Sequence, residues 1–267
     1  MVNVFPSGAD YPQLWPWDVH SELAAAVSGQ MALTGHAGRE PVRPEFPLAE
    51  YLSGVLAALR AVTELRRKHA TGMSRDIEIP LHLAIQRMIE WQVPIATGMG
   101  RPELRVGNSF PMNFSISNMH RTGDGKFIAV SAANDATAAK LLEMLGGPAL
   151  RDDPRFSTLQ ARMAGLDDIT AMLDAWAGER TIAQAMQEAA AHDVVLGQIY
   201  DTDDIASDPH VIARGNIVKV GAPGREAIPM PCPAPRVAGW TPRQHTLGPD
   251  LGADTASVLA SLATSLP

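Results

Sequence analysis

The chain has 267 residues, enough for one large domain or two small ones, and 46% of them are apolar, which is ordinary for a globular protein. A formal charge of -7 argues against a nucleic-acid surface, though it leaves room for local positive patches. One cysteine, Cys232, excludes a disulfide framework and a cysteine metal site; with no apolar run long enough to span a membrane and no leader peptide, a cytoplasmic setting is the default.

Residues 1–17, ending in Trp15-Pro16-Trp17, read as a loop. Asp18 or Ser21 is placed to cap a helix with Leu23, Val27 and Met31 on one face, stopping near Gly35. A Gly/Pro/Arg loop over 35–47 follows. Pro47-Leu48-Ala49-Glu50 then opens a helix that ends near Thr71-Gly72. Leu52, Val55, Leu56, Leu59, Val62 and Leu65 share one face of it, and Arg66 to His69 put cations at its negative end. Ile77-Glu78-Ile79 alternates as a short strand, and residues 81–91 resume helical spacing.

Residues 98–125 carry many Gly, Pro, Asn and Ser, with a strong turn at Thr122-Gly123-Asp124-Gly125, before a strand over 126–130. Helices are expected over 137–145, ending at Gly146-Gly147, then 169–176 and 182–191. A strand over 194–200, a short helix opened by Asp208-Pro209-His210 and closed at Gly215, a strand over 217–220, a Pro-rich run and a helix over 254–262 complete the chain. Alternating helices and short strands give the α/β class. No strand, glycine turn and helix open the N-terminus, so the first nucleotide-binding unit of an open-sheet enzyme is absent from the pattern.

Glu50 falls in the first helical turn, where free N–H groups and the positive helix end favour a carboxylate, and a carboxylate can attack an acyl carbon. A first-turn Glu more often simply decorates a helix. His20 opens the preceding helix, where it is either an unremarkable exposed side chain or a proton-transfer group. Asn134 reads as an N-cap, and Asp153-Pro154-Arg155-Phe156 as a structural turn with an aromatic anchor. The scattered histidines form no metal-binding pair, and there is no Walker loop, dinucleotide fingerprint or nucleophile elbow. Ser28-Gly29 and Ser53-Gly54 fall inside helices, as small residues permitting close packing.

Several motifs in order resemble class III CoA-transferases, the group of formyl-CoA transferase, the carnitine-pathway CoA-transferase and α-methylacyl-CoA racemase. They are the Phe5 to Gly8 turn, Ser28-Gly29 with Leu33-Thr34-Gly35, the stretch from Pro47 to Leu81, Arg105-Val106-Gly107-Asn108, Thr122 to Gly125, Asp153 to Phe156 with Arg162, and Asp208-Pro209 with Arg214-Gly215. The resemblance implies an incomplete Rossmann-like large domain, residues 1–95 and 196–267, plus a small α/β domain, residues 96–195. It implies a carboxylate nucleophile at Glu50, where the family has Asp, that forms a mixed anhydride and then an enzyme–CoA thioester before an acceptor acid takes the CoA. The extra methylene moves the carboxylate by roughly 1.5 Å.

The racemase branch instead pairs a His with an Asp, positions that His20 and Glu50 occupy. Asn134 stands where that branch has a further carboxylate, and no glycine-rich closing loop is present. CoA is expected as substrate, with no permanent cofactor, against Phe5, Gly8, Met31 and Arg43. Trp15, Trp17, Met31 and Met112 either line an acyl pocket or serve as ordinary core. The family's opening nucleotide-binding units are expected to be missing. An interlocked homodimer, or an oligomer with a full-length family member in which this chain is a non-catalytic subunit, is the expected assembly.

Overall fold

A computed structural model describes residues 1–5, 20–43, 45–100, 105–109, 115–222, 224–239 and 247–265. By its contacts the chain divides into two compact units, 1–198 and 199–267. The first opens with β1 (Val2–Phe5), α1 (Ser21–Val27), α2 (Gln30–Leu33), α3 (Leu48–Thr71), β2 (Ile77–Pro80), α4 (Leu81–Gln86) and α5 (Gln92–Met99). β1 and β2 pair in parallel, Val2 opposite Ile77 and Phe5 opposite Pro80. This corrects the loop expected for residues 1–17 at Val2–Phe5; residues 6–17 of that stretch lie outside the described residues. The short Val-Asn-Val-Phe run owes its extended form to a partner more than seventy residues away, which no local pattern announces.

A small core joins α1, α3 and α4 through Ala24, Ala25, Ala49, Leu81 and Ile85. The alanines let the helix backbones approach closely. Ser28 caps the end of α1, with Oγ bonded to the Ala25 carbonyl at 3.0 Å, and Gly29 starts α2, so this pair marks a break between helices rather than a helix interior. Ser53 does lie inside α3, fully buried. The helix expected over 81–91 stops at Gln86, and α5 follows.

The apolar face predicted for α3 splits. Leu52 and Leu56 turn partly inward, whereas Val55, Leu59, Val62 and Leu65 are 62–66% exposed. The helix is apolar over more than one face, and the small core covers only one of them. Gly72 ends it at φ +75°, its N–H bonded to the Lys68 carbonyl at 2.8 Å.

The rest of the unit is a three-stranded antiparallel sheet under helices: β3 (Ile116–Arg121), β4 (Phe127–Ala132), α6 (Asp135–Arg151), α7 (Leu159–Ala164), α8 (Leu166–Gly178), α9 (Ile182–Ala191) and β5 (Leu196–Gln198), in sheet order β3-β4-β5. Its core runs through Ile116, Ile128, Leu141, Leu142, Phe156 and Leu173, all at most 2% exposed. β3 lies inside a stretch expected to be loop; Asn118, His120 and Arg121 hide its pattern, and pairing with β4 decides it. α6 continues beyond Gly146 and Gly147, which break its geometry, because Pro148 restarts the helix.

The Thr122–Gly125 turn is built into α9. Asp124 accepts from the Thr122 hydroxyl at 2.6 Å and from the Ile182 N–H at 3.0 Å. Gly123 passes so close to α8 that a Cβ there would lie 2.6 Å from the Gly178 carbonyl oxygen. Asn134 caps α6, as read from the sequence. Arg162, 4% exposed, donates to the Phe156 carbonyl at 3.1 Å and to Asp135, which explains why it travels with the Asp153–Phe156 turn. His120 is buried with Nδ1 2.7 Å from Asp174.

The second unit contains α10 (Thr202–Ser207), α11 (Pro209–Ala213), a hairpin of β6 (Ile217–Ala222) and β7 (Arg225–Pro231), and α12 (Thr255–Ser265). β7 was hidden by its own prolines; as an outer strand it tolerates Pro229 and Pro231, whose missing N–H groups need no ladder partner on the open side.

Candidate active site

Pro47 is the N-cap of α3 and offers no side-chain oxygen to the first turn. Glu50 is therefore the acidic group at that helix end, and it is exposed. α1 packs beside it because Ala24, Ala25 and Ala49 share the small core. That packing brings the first residue of α1 onto the carboxylate: Ser21 Oγ donates to Glu50 Oε2 at 2.5 Å. From the sequence Ser21 reads only as a candidate helix cap; it is instead the first residue of α1, with His20 at the cap. The contact spans 29 residues and has no local signature.

His20 is the N-cap residue of α1, exposed, and makes no side-chain cap bond. The side chain that reaches Glu50 is its neighbour, Ser21. Ser21 also lines a cavity of about 220 Å³ together with Ala25, Gln30, Arg43, Phe46 and Ala49. The Gln30 carboxamide oxygen is buried there without a hydrogen-bond partner. Arg43 stands at the same cavity, exposed and paired with Glu22 at 2.7 Å. Met31 is half-buried against the small core. Phe5 is paired through its backbone in β1, while its side chain, and Gly8, Trp15, Trp17 and Met112, lie outside the described residues.

The loop after α2 is pinned from a distance. Arg105 donates to the carbonyls of Ala32 at 3.0 Å and Arg39 at 2.7 Å, and the Gly107 N–H bonds the Gly35 carbonyl at 2.9 Å. Gly107 has φ +64°, and a Cβ there would fall 2.5 Å from the His36 ring. The Leu33-Thr34-Gly35 and Arg105–Asn108 motifs are thus two halves of one clasp behind α2. A larger groove, about 840 Å³, runs along α3, β2, α4 and α5 past Leu56, Arg60, Leu83 and Val93, away from the Glu50 carboxylate. No helix among the described residues is long and apolar enough to cross a membrane.

A sequence model of CoA-transferase family III matches residues 15–255. The chain is 31% identical over 243 residues to succinyl-CoA–D-citramalate CoA-transferase of Chloroflexus aurantiacus, covering 90% of this chain and 60% of that protein. It is 29% identical to both the alpha and the beta subunit of succinyl-CoA–L-malate CoA-transferase from that organism, covering 94% and 91% of this chain and 60% of each subunit. The chain thus spans about three fifths of the length of these relatives. Its fold matches the crystal structure of a CAIB/BAIF family protein from Brucella suis with a TM-score of 0.80 at 24% identity, over 98% of this chain and 67% of that one. With the fold, the ordered motifs and the family match in agreement, the chain belongs to CoA-transferase family III.

Proposed function

We propose that this chain carries the nucleophile of a CoA-transferase that moves CoA between an acyl-CoA thioester and a carboxylic acid, and that Glu50 is that nucleophile. The observation that supports this most is the position of the Glu50 carboxylate: in the first turn of a 24-residue helix, exposed, and held by Ser21, which itself lines a cavity. Glu50 Oε1 attacks the acyl carbon, the carbon–sulfur bond breaks, and CoA thiolate leaves a mixed anhydride behind. The thiolate attacks Glu50 Cδ and expels the donor acid, giving a Glu50–CoA thioester. The acceptor carboxylate repeats the two steps in reverse and leaves with CoA.

Succinyl-CoA as donor and a hydroxylated dicarboxylic acid as acceptor are the substrates we propose, after the printed activities of the citramalate and malate relatives. Residues 1–95 with 196–267 as one domain, residues 96–195 as another, and a cytoplasmic setting belong to the same proposal. The test is succinyl-CoA, quenched with hydroxylamine, with mapping of the modified residue. A hydroxamate or CoA adduct at Glu50 is expected, and Glu50→Gln should lower transfer by roughly 10³-fold or more. Modification elsewhere, or full activity in Glu50→Gln, overturns the assignment.

A second reading has its own support. Both subunits of the malate enzyme resemble this chain, and α3 leaves Tyr51, Val55, Leu59, Val62 and Leu65 exposed. These favour an oligomer, homomeric or with a longer family member, in which a partner covers that face. If this chain only completes a partner's site, Glu50→Gln leaves the complex active while removal of the chain abolishes transfer.

A further inference from the structure

We infer that Ser21 is the oxyanion donor of the Glu50 half-reactions; this rests on Glu50 being the nucleophile. The Ser21 hydroxyl binds one carboxylate oxygen, Oε2, at 2.5 Å. That leaves Oε1 to form the bond to the acyl carbon. In the mixed anhydride Oε1 becomes the bridging oxygen and Oε2 the carbonyl oxygen of the glutamyl half.

When CoA thiolate adds to Cδ, the electron pair of that carbonyl moves onto Oε2. The tetrahedral centre carries its negative charge where the Ser21 hydroxyl already points. Collapse re-forms the carbonyl, breaks the Cδ–Oε1 bond and releases the donor acid as its carboxylate. Attack of the acceptor carboxylate on the Glu50–CoA thioester builds the same oxyanion and expels thiolate. A donor placed before charge develops stabilises the transition state without reorganisation, and removing one such donor typically costs about 10²-fold or more in turnover.

Two features of the site suit this role. Ser21 is the first residue of α1, and α1 is seated on α3 by a buried alanine contact, so the hydroxyl is carried by packed helices rather than by a loop. Ser21 also lines the 220 Å³ cavity, and Glu50 is exposed, so the pair is reachable by an approaching group.

The experiment compares wild type, Ser21→Ala and Ser21→Thr in the full protein with succinyl-CoA, using rapid quench and intact mass to follow the Glu50–CoA thioester. The expected result is thioester formation and kcat lowered about 10²-fold in Ser21→Ala, KM for succinyl-CoA within about threefold, and recovery to within about tenfold in Ser21→Thr. If wild type and Ser21→Ala form the thioester equally fast, Ser21 is not the donor, and Glu50 stands. If Ser21→Thr falls as far as Ser21→Ala while both melt like wild type, the hydroxyl is not what matters, and the assignment fails. If wild type itself shows no adduct at Glu50, the nucleophile reading fails and takes this inference with it.

Discussion

α8 and α3 are both apolar helices, yet one is closed over and the other is not. Ile169, Leu173, Trp176 and Ala177 of α8 are buried on the antiparallel sheet and its helices. α3 is nearly twice as long, but only Ala49 and Ser53 are buried, and Tyr51, Val55, Leu59, Val62 and Leu65 are 62–71% exposed. An apolar stripe marks a face that favours cover; it does not say whether the cover lies in the same chain. Here the closed region is scaffold, and the open one carries the candidate nucleophile.

The largest expected effect tests the closed region. Leu141→Ala, at 0% exposure in α6, should cost roughly 2–5 kcal/mol in urea unfolding, because the surrounding core cannot collapse into the space. A loss below about 1 kcal/mol would show that this core is loosely packed. Gly123→Ala should cost roughly 1–3 kcal/mol, since the added Cβ meets the backbone oxygen of Gly178 and not a movable side chain. A thermal melt of the variant measures it, and an unchanged melting point would mean that the turn does not sit against α8.

Acid should loosen the same region. The Thr122 hydroxyl first, then the Ile182 N–H, hold the Asp124 carboxyl below the usual carboxylate range. Its folded value is the lower one, so its contribution is complete above the unfolded pKa and is lost as pH falls through the folded value. Asp124→Asn should therefore be less stable than wild type near neutrality. The urea midpoints of the two should converge as pH falls below about 4. Parallel midpoints at every pH would remove Asp124 from the acid response.

The smallest effect on the chain alone belongs to the open region. Leu59→Ser should change the stability of a dilute monomer by less than about 0.5 kcal/mol, because the side chain is already in water. In sedimentation it should weaken association with whatever covers α3. A loss above about 1 kcal/mol in the monomer would show the stripe to be covered within the chain, and the contrast with α8 would disappear.

The amino-acid sequence by itself determined the elements whose signals are local. α9 runs over Ile182–Ala191 as its periodicity predicts, α3 stops at Gly72 where a positive φ is needed, and Asn134 and Asp208 cap the helices they precede. Propensity, spacing and capping act within a few residues, so they are written in the chain. Glu50 was legible for the same reason, as a carboxylate in a first helical turn. The tertiary structure decided the rest. β1 and β3 exist as strands only through β2 and β4, which supply the ladder bonds that their own residues do not advertise. Which face of α3 is buried depends on α1 and α4. The Ser21–Glu50 contact joins residues 29 apart, and only the packing of α1 on α3 brings them together. Pairing and packing choose among faces that the local pattern leaves equivalent, which is why the site's second residue came from the structure.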